Sequence, residues 1–143
     1  MKRAQSEIIY LVITLSIAFL VVAGIFAFSK TFQTNMNEQL ANVGLERTAT
    51  QLEGGFLKLK EIVDTTNERN VSLKLQIPAK IGEQRYTIAG FSNNVIELRT
   101  VGNPSVFRLL NLKFWNVSVS GFVDSQQGSI DLQLLNATSV LLK

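Results

Sequence analysis

The residues able to do chemistry in this chain are few. The sequence contains no His and no Cys among its 143 residues. Their absence removes the commonest general base, the commonest metal ligand and every thiolate nucleophile. The sequence also has no Gly-rich phosphate loop and no cluster of carboxylates. We therefore expect a protein that is not an enzyme and that uses no cofactor and no metal.

Glu7 is the acidic residue whose position is unusual. It stands immediately before a run from Ile8 to Ser29 that contains no charged residue. A carboxylate placed in lipid or among packed helices is costly unless it is paired with a positive charge. Two interpretations stay open. Glu7 is solvated and favours the first turn of a helix, or it pairs with a positive charge supplied by a neighbouring molecule.

The uncharged run has the length of a membrane span. Its 22 residues at a rise of about 1.5 Å each would extend about 33 Å, against a bilayer hydrocarbon thickness of about 30 Å. We predict a transmembrane helix over residues 5–30. Lys2 and Arg3 precede the run and only Lys30 follows it directly. Because basic residues near a span stay on the cytoplasmic side, we expect a single-pass protein with a cytoplasmic N-terminus and the remaining chain outside.

A basic pair and a small residue stand directly before this run, as Lys2-Arg3-Ala4-Gln5. This arrangement resembles the class III leader of archaeal type IV pilin-like proteins, the group that includes adhesion pilins and archaellins. The resemblance covers about the first 30 residues and depends on a short motif. It implies that residues 1–4 are a leader, recognised through these four positions and cut by the prepilin peptidase between Ala4 and Gln5.

The resemblance also implies a function. The mature protein would be a structural subunit of a surface filament used for adhesion or motility. It would lie in membrane lipid before assembly, pack against identical or related subunits afterwards, and depend on the pilus assembly machinery. Glu7 would then set the register by pairing with the new amino terminus, at Gln5, of a neighbouring subunit. The alternative is a permanently anchored accessory protein, such as an archaellum stator component, whose β domain binds a partner or the surface layer.

Residues 31–69 are predicted to form an amphipathic helical stalk. Apolar residues recur at helical spacing, first in Phe32, Met36, Leu40 and Val43, then in Leu45, Ala49, Leu52, Phe56, Leu59 and Val63. We expect a kink or a break at Gly54-Gly55, because each Gly costs about 1 kcal/mol relative to Ala inside a helix, and a continuation of the helix to about Thr65. The predicted helix–helix packing residues are Phe19, Gly24, Phe26, Phe28, Phe32, Met36 and Leu40. Contact with lipid, or with the chain's own β domain, would suit the same residues.

Residues 70–143 change to the alternation of apolar and polar side chains that is typical of strands. We predict six or seven short antiparallel strands in a small extracellular β-sandwich or sheet, and hence an α+β fold with a long N-terminal hydrophobic helix. Three N-x-Ser/Thr triplets whose middle residue is not Pro begin at Asn70, Asn116 and Asn136. They are either N-glycosylation sites or unmodified asparagines near strand ends. The net charge of +3 comes from scattered basic residues, so we expect no nucleic-acid partner.

Overall fold

The chain folds into one long helix followed by a single β-sheet. The structure is a computed structural model, and it describes residues 2–66, 70–91, 94–136 and 138–143; for residues 2–5 it describes the backbone alone. The helix α1 spans Lys2–Thr66, and the strands that follow belong to one seven-stranded sheet. The α+β fold predicted from the sequence is therefore confirmed.

The chain divides into two compact units, Met1–Met36 and Asn37–Lys143. In the first unit, the described side chains belong to α1, and every residue from Ser6 to Met36 is exposed. The second unit contains the rest of α1 and the whole sheet. A hydrophobic core is found among the described residues of the second unit only.

The sheet contains one strand for each of the alternating segments predicted from the sequence and one more. The strands are β1 Ser72–Gln76, β2 Tyr86–Phe91, β3 Val95–Thr100, β4 Phe107–Asn111, β5 Ser118–Asp124, β6 Ser129–Asn136 and β7 Ser139–Leu142. Their order across the sheet is β1-β6-β7-β5-β2-β3-β4. Neighbouring strands are antiparallel except β5 and β7, which are parallel. Because all seven described strands share one sheet, the chain forms the sheet and not the sandwich that we also considered.

The second half of α1 packs on one face of this sheet. Its buried apolar side chains recur every three or four residues, and each also belongs to the hydrophobic core with inward-facing strand residues. The helix contributes Ala41, Leu45, Ala49, Leu52, Phe56 and Leu59. Full burial of one Leu or Phe side chain contributes about 1.5–3 kcal/mol. The predicted stripe that begins at Leu45 is therefore used by the chain's own β domain.

The break predicted at Gly54-Gly55 is not found, because α1 continues through both glycines. Leu52 and Phe56 flank the pair and are fully buried, and their burial outweighs a helix cost of about 1 kcal/mol per glycine. A Cβ atom at Gly55 would lie 2.2 Å from Leu75 Cδ1. Gly55 therefore allows β1 to approach the helix closely.

Strand β4 was not predicted from the sequence. It lies at the edge of the sheet and pairs only with β3. Leu110 is its one buried residue, while Phe107 and Leu109 are about half exposed. Because an edge strand with apolar residues on both faces shows no clean alternation, the periodicity of the sequence did not reveal it.

Candidate assembly surface and modification sites

The N-terminal part of α1 presents an apolar surface with no intramolecular cover. None of the residues in its most hydrophobic window is buried, and its mean hydropathy is 2.8. By length and composition this helix could cross a membrane, and a signal sequence near the N-terminus would meet the same criterion.

The hydroxyl groups inside the uncharged run are partly satisfied by the helix itself. Thr14 Oγ1 donates a hydrogen bond to the Tyr10 carbonyl oxygen at 2.9 Å, and Ser16 Oγ donates to the Val12 carbonyl oxygen at 2.8 Å. Such bonds to the preceding turn reduce the cost of removing a hydroxyl from water. These two polar side chains therefore need no external partner when the helix enters an apolar environment.

The predicted packing residues of the first unit are all exposed. Phe19, Phe26, Phe28 and Phe32 lie among the exposed large hydrophobic residues, as does Met36. The Phe28 and Phe32 rings stack with centroids 6.5 Å apart. Apart from the adjacent residues and the nearby backbone of α1 itself, no described atom lies within 4 Å of the position that a Cβ would take at Gly24. The structure thus leaves these residues available for contact with lipid or with another helix.

Leu40 and Val43 belong to the apolar stripe that begins at Phe32. Their surroundings in the second unit differ from those of the stripe that begins at Leu45. Leu40 is 50% exposed and Val43 is 67% exposed, whereas Ala41 and Leu45 are each 1% exposed. Leu40 and Val43 line a shallow groove with Ile81. The part of the first stripe that lies in this unit is thus not covered by the sheet.

Glu7 is exposed, and no described residue forms an ion pair with it. The side chains of Lys2, Arg3, Ala4 and Gln5 lie outside the described residues, and only their helical backbone is given. The cleavage site and the pairing of Glu7 with a neighbouring amino terminus therefore stay predictions.

Two polar contacts that sequence analysis missed connect α1 to the β3–β4 edge of the sheet. Asn103 Nδ2 donates a hydrogen bond to Glu38 Oε1 at 2.9 Å. Arg108 Nη2 lies 3.4 Å from Glu46 Oε1. The partners are 65 and 62 residues apart in the chain, so no local spacing could have revealed them.

Tyr86 was predicted as a strand residue, but its phenol has a further role. The side chain is buried, and its hydroxyl donates a hydrogen bond to the Pro78 carbonyl oxygen at 2.7 Å. Burial raises the pKa of Tyr86 to about 12, while a hydrogen bond with Thr48 acts in the opposite direction. This phenol therefore lies at the contact between α1, β2 and the loop after β1.

The three asparagines that begin the N-x-Ser/Thr triplets are all exposed. Two of these triplets meet in space, because Asn116, Ser118 and Thr138 line one shallow depression together with Asn94. The aromatic neighbours Phe114 and Trp115 are partly buried and pack against the core. The described residues contain no group of His, Cys, Asp or Glu side chains that could hold a metal ion.

No family model, no curated protein sequence and no solved structure matches this chain.

Proposed function

We propose that this protein is a pilin-like structural subunit of an archaeal type IV-type surface filament. Residues 5–30 anchor it in the membrane before assembly and lie in the filament core afterwards, and the β domain faces outward. The observation that supports the proposal is the uncharged surface from Ile8 to Ser29. It is exposed throughout, on a helix whose later residues form the core of a folded domain.

The physical argument concerns what can cover this surface. Removing apolar surface from water contributes about 25 cal/mol per Å², so an uncovered apolar helix is strongly unfavourable in water. Lipid chains cover it equally on all sides. Sister helices cover it too, and the exposed aromatic residues give them a large contact area. Assembly is then an exchange of lipid contacts for helix contacts.

Glu7 supplies the polar part of this exchange. Once residues 1–4 are removed, Gln5 carries a free ammonium group. A carboxylate among packed helices is stabilised when such a positive charge lies beside it. Pairing between Glu7 of one subunit and Gln5 of the next would fix the register in which the helices pack.

The first experiment identifies the amino terminus and the location of the native protein. Surface material is sheared from cells, and its subunit is identified by mass spectrometry of the intact chain and its first peptide. The proposal predicts a bulk filament component that begins at Gln5. An intact Met1 in a protein that stays with the membrane would instead support the anchored accessory protein.

The second experiment tests the register. Glu7→Gln removes the charge, so we expect few or no surface filaments by electron microscopy, while Glu7→Asp retains them. Glu61→Gln is the matched control, because Glu61 is exposed and lies in the second unit. Normal filament numbers in Glu7→Gln, with the protein present in the membrane, would reject the pairing.

A further inference from the structure

The three glycosylation triplets lie far apart in the sequence but begin at the same end of the sheet. The Leu134 amide donates to the Val71 carbonyl oxygen at 2.8 Å, which places Asn70 beside the end of β6. Asn136 ends β6 and faces Ser139, the first residue of β7. The Ser118 amide donates to the Thr138 carbonyl oxygen at 2.8 Å, which brings the Asn116 triplet beside the Asn136 triplet.

The four strands concerned are neighbours, in the order β1-β6-β7-β5. Neighbouring strands lie about 4.8 Å apart, so β1 and β5 are separated by about 15 Å. The opposite end of the sheet lies beside Glu38, because Asn103, which follows β3, donates a hydrogen bond from Nδ2 to Glu38 Oε1 at 2.9 Å. The triplets therefore cluster at the end of the domain that is far from Asn37.

The amide nitrogens of these asparagines are available. All three residues are exposed, and among the described residues none accepts a hydrogen bond from their Nδ2 atoms. The Asn136 side chain is held through its other atom, because Oδ1 accepts bonds from the Thr138 amide at 3.0 Å and from Thr138 Oγ1 at 3.1 Å. The nitrogen that would react is left without an acceptor in the part of the chain that the structure describes.

A fourth Asn-x-Ser triplet provides a contrast within the same domain. Asn103-Pro104-Ser105 lies between β3 and β4, at the opposite end of the sheet. Pro at the middle position prevents glycosylation. In addition, Asn103 Nδ2 donates to Glu38 Oε1 at 2.9 Å, and Asn103 Oδ1 accepts from the Ser105 amide. The triplet away from the cluster is thus unusable for two independent reasons.

We propose that Asn70, Asn116 and Asn136 are acceptors of N-linked glycans and together form a carbohydrate-bearing end of the β domain. The donor is a sugar linked to a lipid phosphate. The bond from the anomeric carbon to the phosphate oxygen breaks, and a bond to Asn Nδ2 forms. The amide nitrogen loses one proton, which ends on the lipid phosphate. The inference rests on the proposed function in one respect, that the β domain lies outside the cell.

Mass spectrometry of the protein isolated from its own cells tests the proposal. After proteolysis, the peptides that contain Asn70, Asn116 and Asn136 should each carry a glycan mass. The peptides with Asn94, Asn103 and Asn111 should be bare. Ser118→Ala, which leaves Asn116 in place, should abolish the glycan on Asn116 alone, whereas Ser118→Thr should retain it.

Each outcome decides one of the two proposals. Bare peptides at all three positions in protein recovered from sheared filaments would overturn the glycan cluster and leave the filament subunit intact. Glycans at the three positions in a protein that never enters filaments would support the cluster and reject the filament subunit. A glycan that persists on Asn116 in Ser118→Ala would also overturn the assignment, because the acceptor would then not depend on the triplet.

Discussion

Gly44 and Gly54 lie on the same helix and differ in what surrounds them. A Cβ at Gly44 would lie 2.0 Å from Ile81 Cγ2 and 3.1 Å from Ile81 Cβ. Apart from the adjacent residues and the nearby backbone of α1, no described atom lies within 4 Å of a Cβ at Gly54. Ile81 is buried and its backbone amide donates to the Gln84 carbonyl oxygen, so it cannot move away easily. The close approach at Gly44 therefore requires glycine.

We predict opposite effects for alanine at these two positions. Gly54→Ala should raise the free energy of unfolding by about 1 kcal/mol through helix propensity. Gly44→Ala should lower it, because overpacking costs about 1–3 kcal/mol and exceeds that gain. Thermal unfolding of the full chain in detergent, followed by circular dichroism, measures both. Equal stabilisation by the two variants would contradict the packing of Gly44 on Ile81.

Tyr86 makes the stability of the β domain vary with pH in the alkaline range. Its folded pKa of about 12 lies above the ordinary value of 10.0. As the pH rises from about 10 to about 12, the unfolded chain loses the phenol proton while the folded chain keeps it, so stability falls. Below about pH 10 the contribution of the protonated Tyr86 phenol to stability is fully present.

We expect Tyr86→Phe to lose less stability than the native chain over this alkaline window. At neutral pH the variant should be less stable by about 0.5–1.5 kcal/mol, because it lacks the hydrogen bond to the Pro78 carbonyl oxygen. Unfolding midpoints of both chains, measured across neutral and alkaline pH, provide the comparison. Identical slopes above the ordinary phenol pKa would show that Tyr86 titrates alike in the folded and unfolded chains.

At the scale of elements, the packing of α1 on the sheet should dominate the stability of the second unit. Leu52 is 0% exposed and Leu57 is 48% exposed. Leu52→Ala should lower the free energy of unfolding by about 2–5 kcal/mol, and Leu57→Ala by about 0.5 kcal/mol. Denaturant unfolding in detergent measures the two effects. Similar losses in both variants would mean that the helix face is wrongly assigned.

The sequence predicted most of these elements because their patterns are local. The stripe from Leu45 to Leu59 and the alternation in six of the strands both follow from which side chains face the core. The predicted break at Gly54-Gly55 is absent because the burial of Leu52 and Phe56 outweighs the helix cost of the glycines. Only the folded sheet provides that burial, so the local sequence could not reveal it. Strand β4 was missed because pairing with β3, and not alternation, defines it.

At the scale of the whole molecule, we expect changes in the exposed stripe of Phe32, Met36, Leu40 and Val43 to affect filament assembly and not the folding of the β domain. Leu40 is not covered by the sheet. Leu40→Glu should abolish or strongly reduce filaments, because it would place a charge in the proposed contact between helices of neighbouring subunits. Asn42→Glu adds the same charge at an exposed position outside that stripe and should assemble normally.

Electron microscopy counts the filaments, and the unfolding midpoint checks that both variants fold. Filaments formed equally by Leu40→Glu and Asn42→Glu would show that Leu40 does not lie in an intersubunit contact. A loss of filaments in Leu40→Glu together with a native midpoint would support the stripe as an assembly surface.

The candidate sites could be read from the sequence only in part. Glu7 and the three triplets are visible as single residues and short motifs. That Asn70, Asn116 and Asn136 share one end of the sheet follows from the pairing of β1 with β6 and of β7 with β5. Those pairings join residues distant in the chain, so no local pattern predicts them.

Strand β7 has a consequence for how the domain is made. It follows the other six strands in chain order, yet it lies between β6 and β5 and pairs with both. Without it, β1 and β6 have no backbone ladder to the remaining four strands. The seven-stranded sheet therefore cannot be completed until this late segment has left the ribosome. If α1 enters a bilayer first, as proposed, it does so while the β domain is still incomplete.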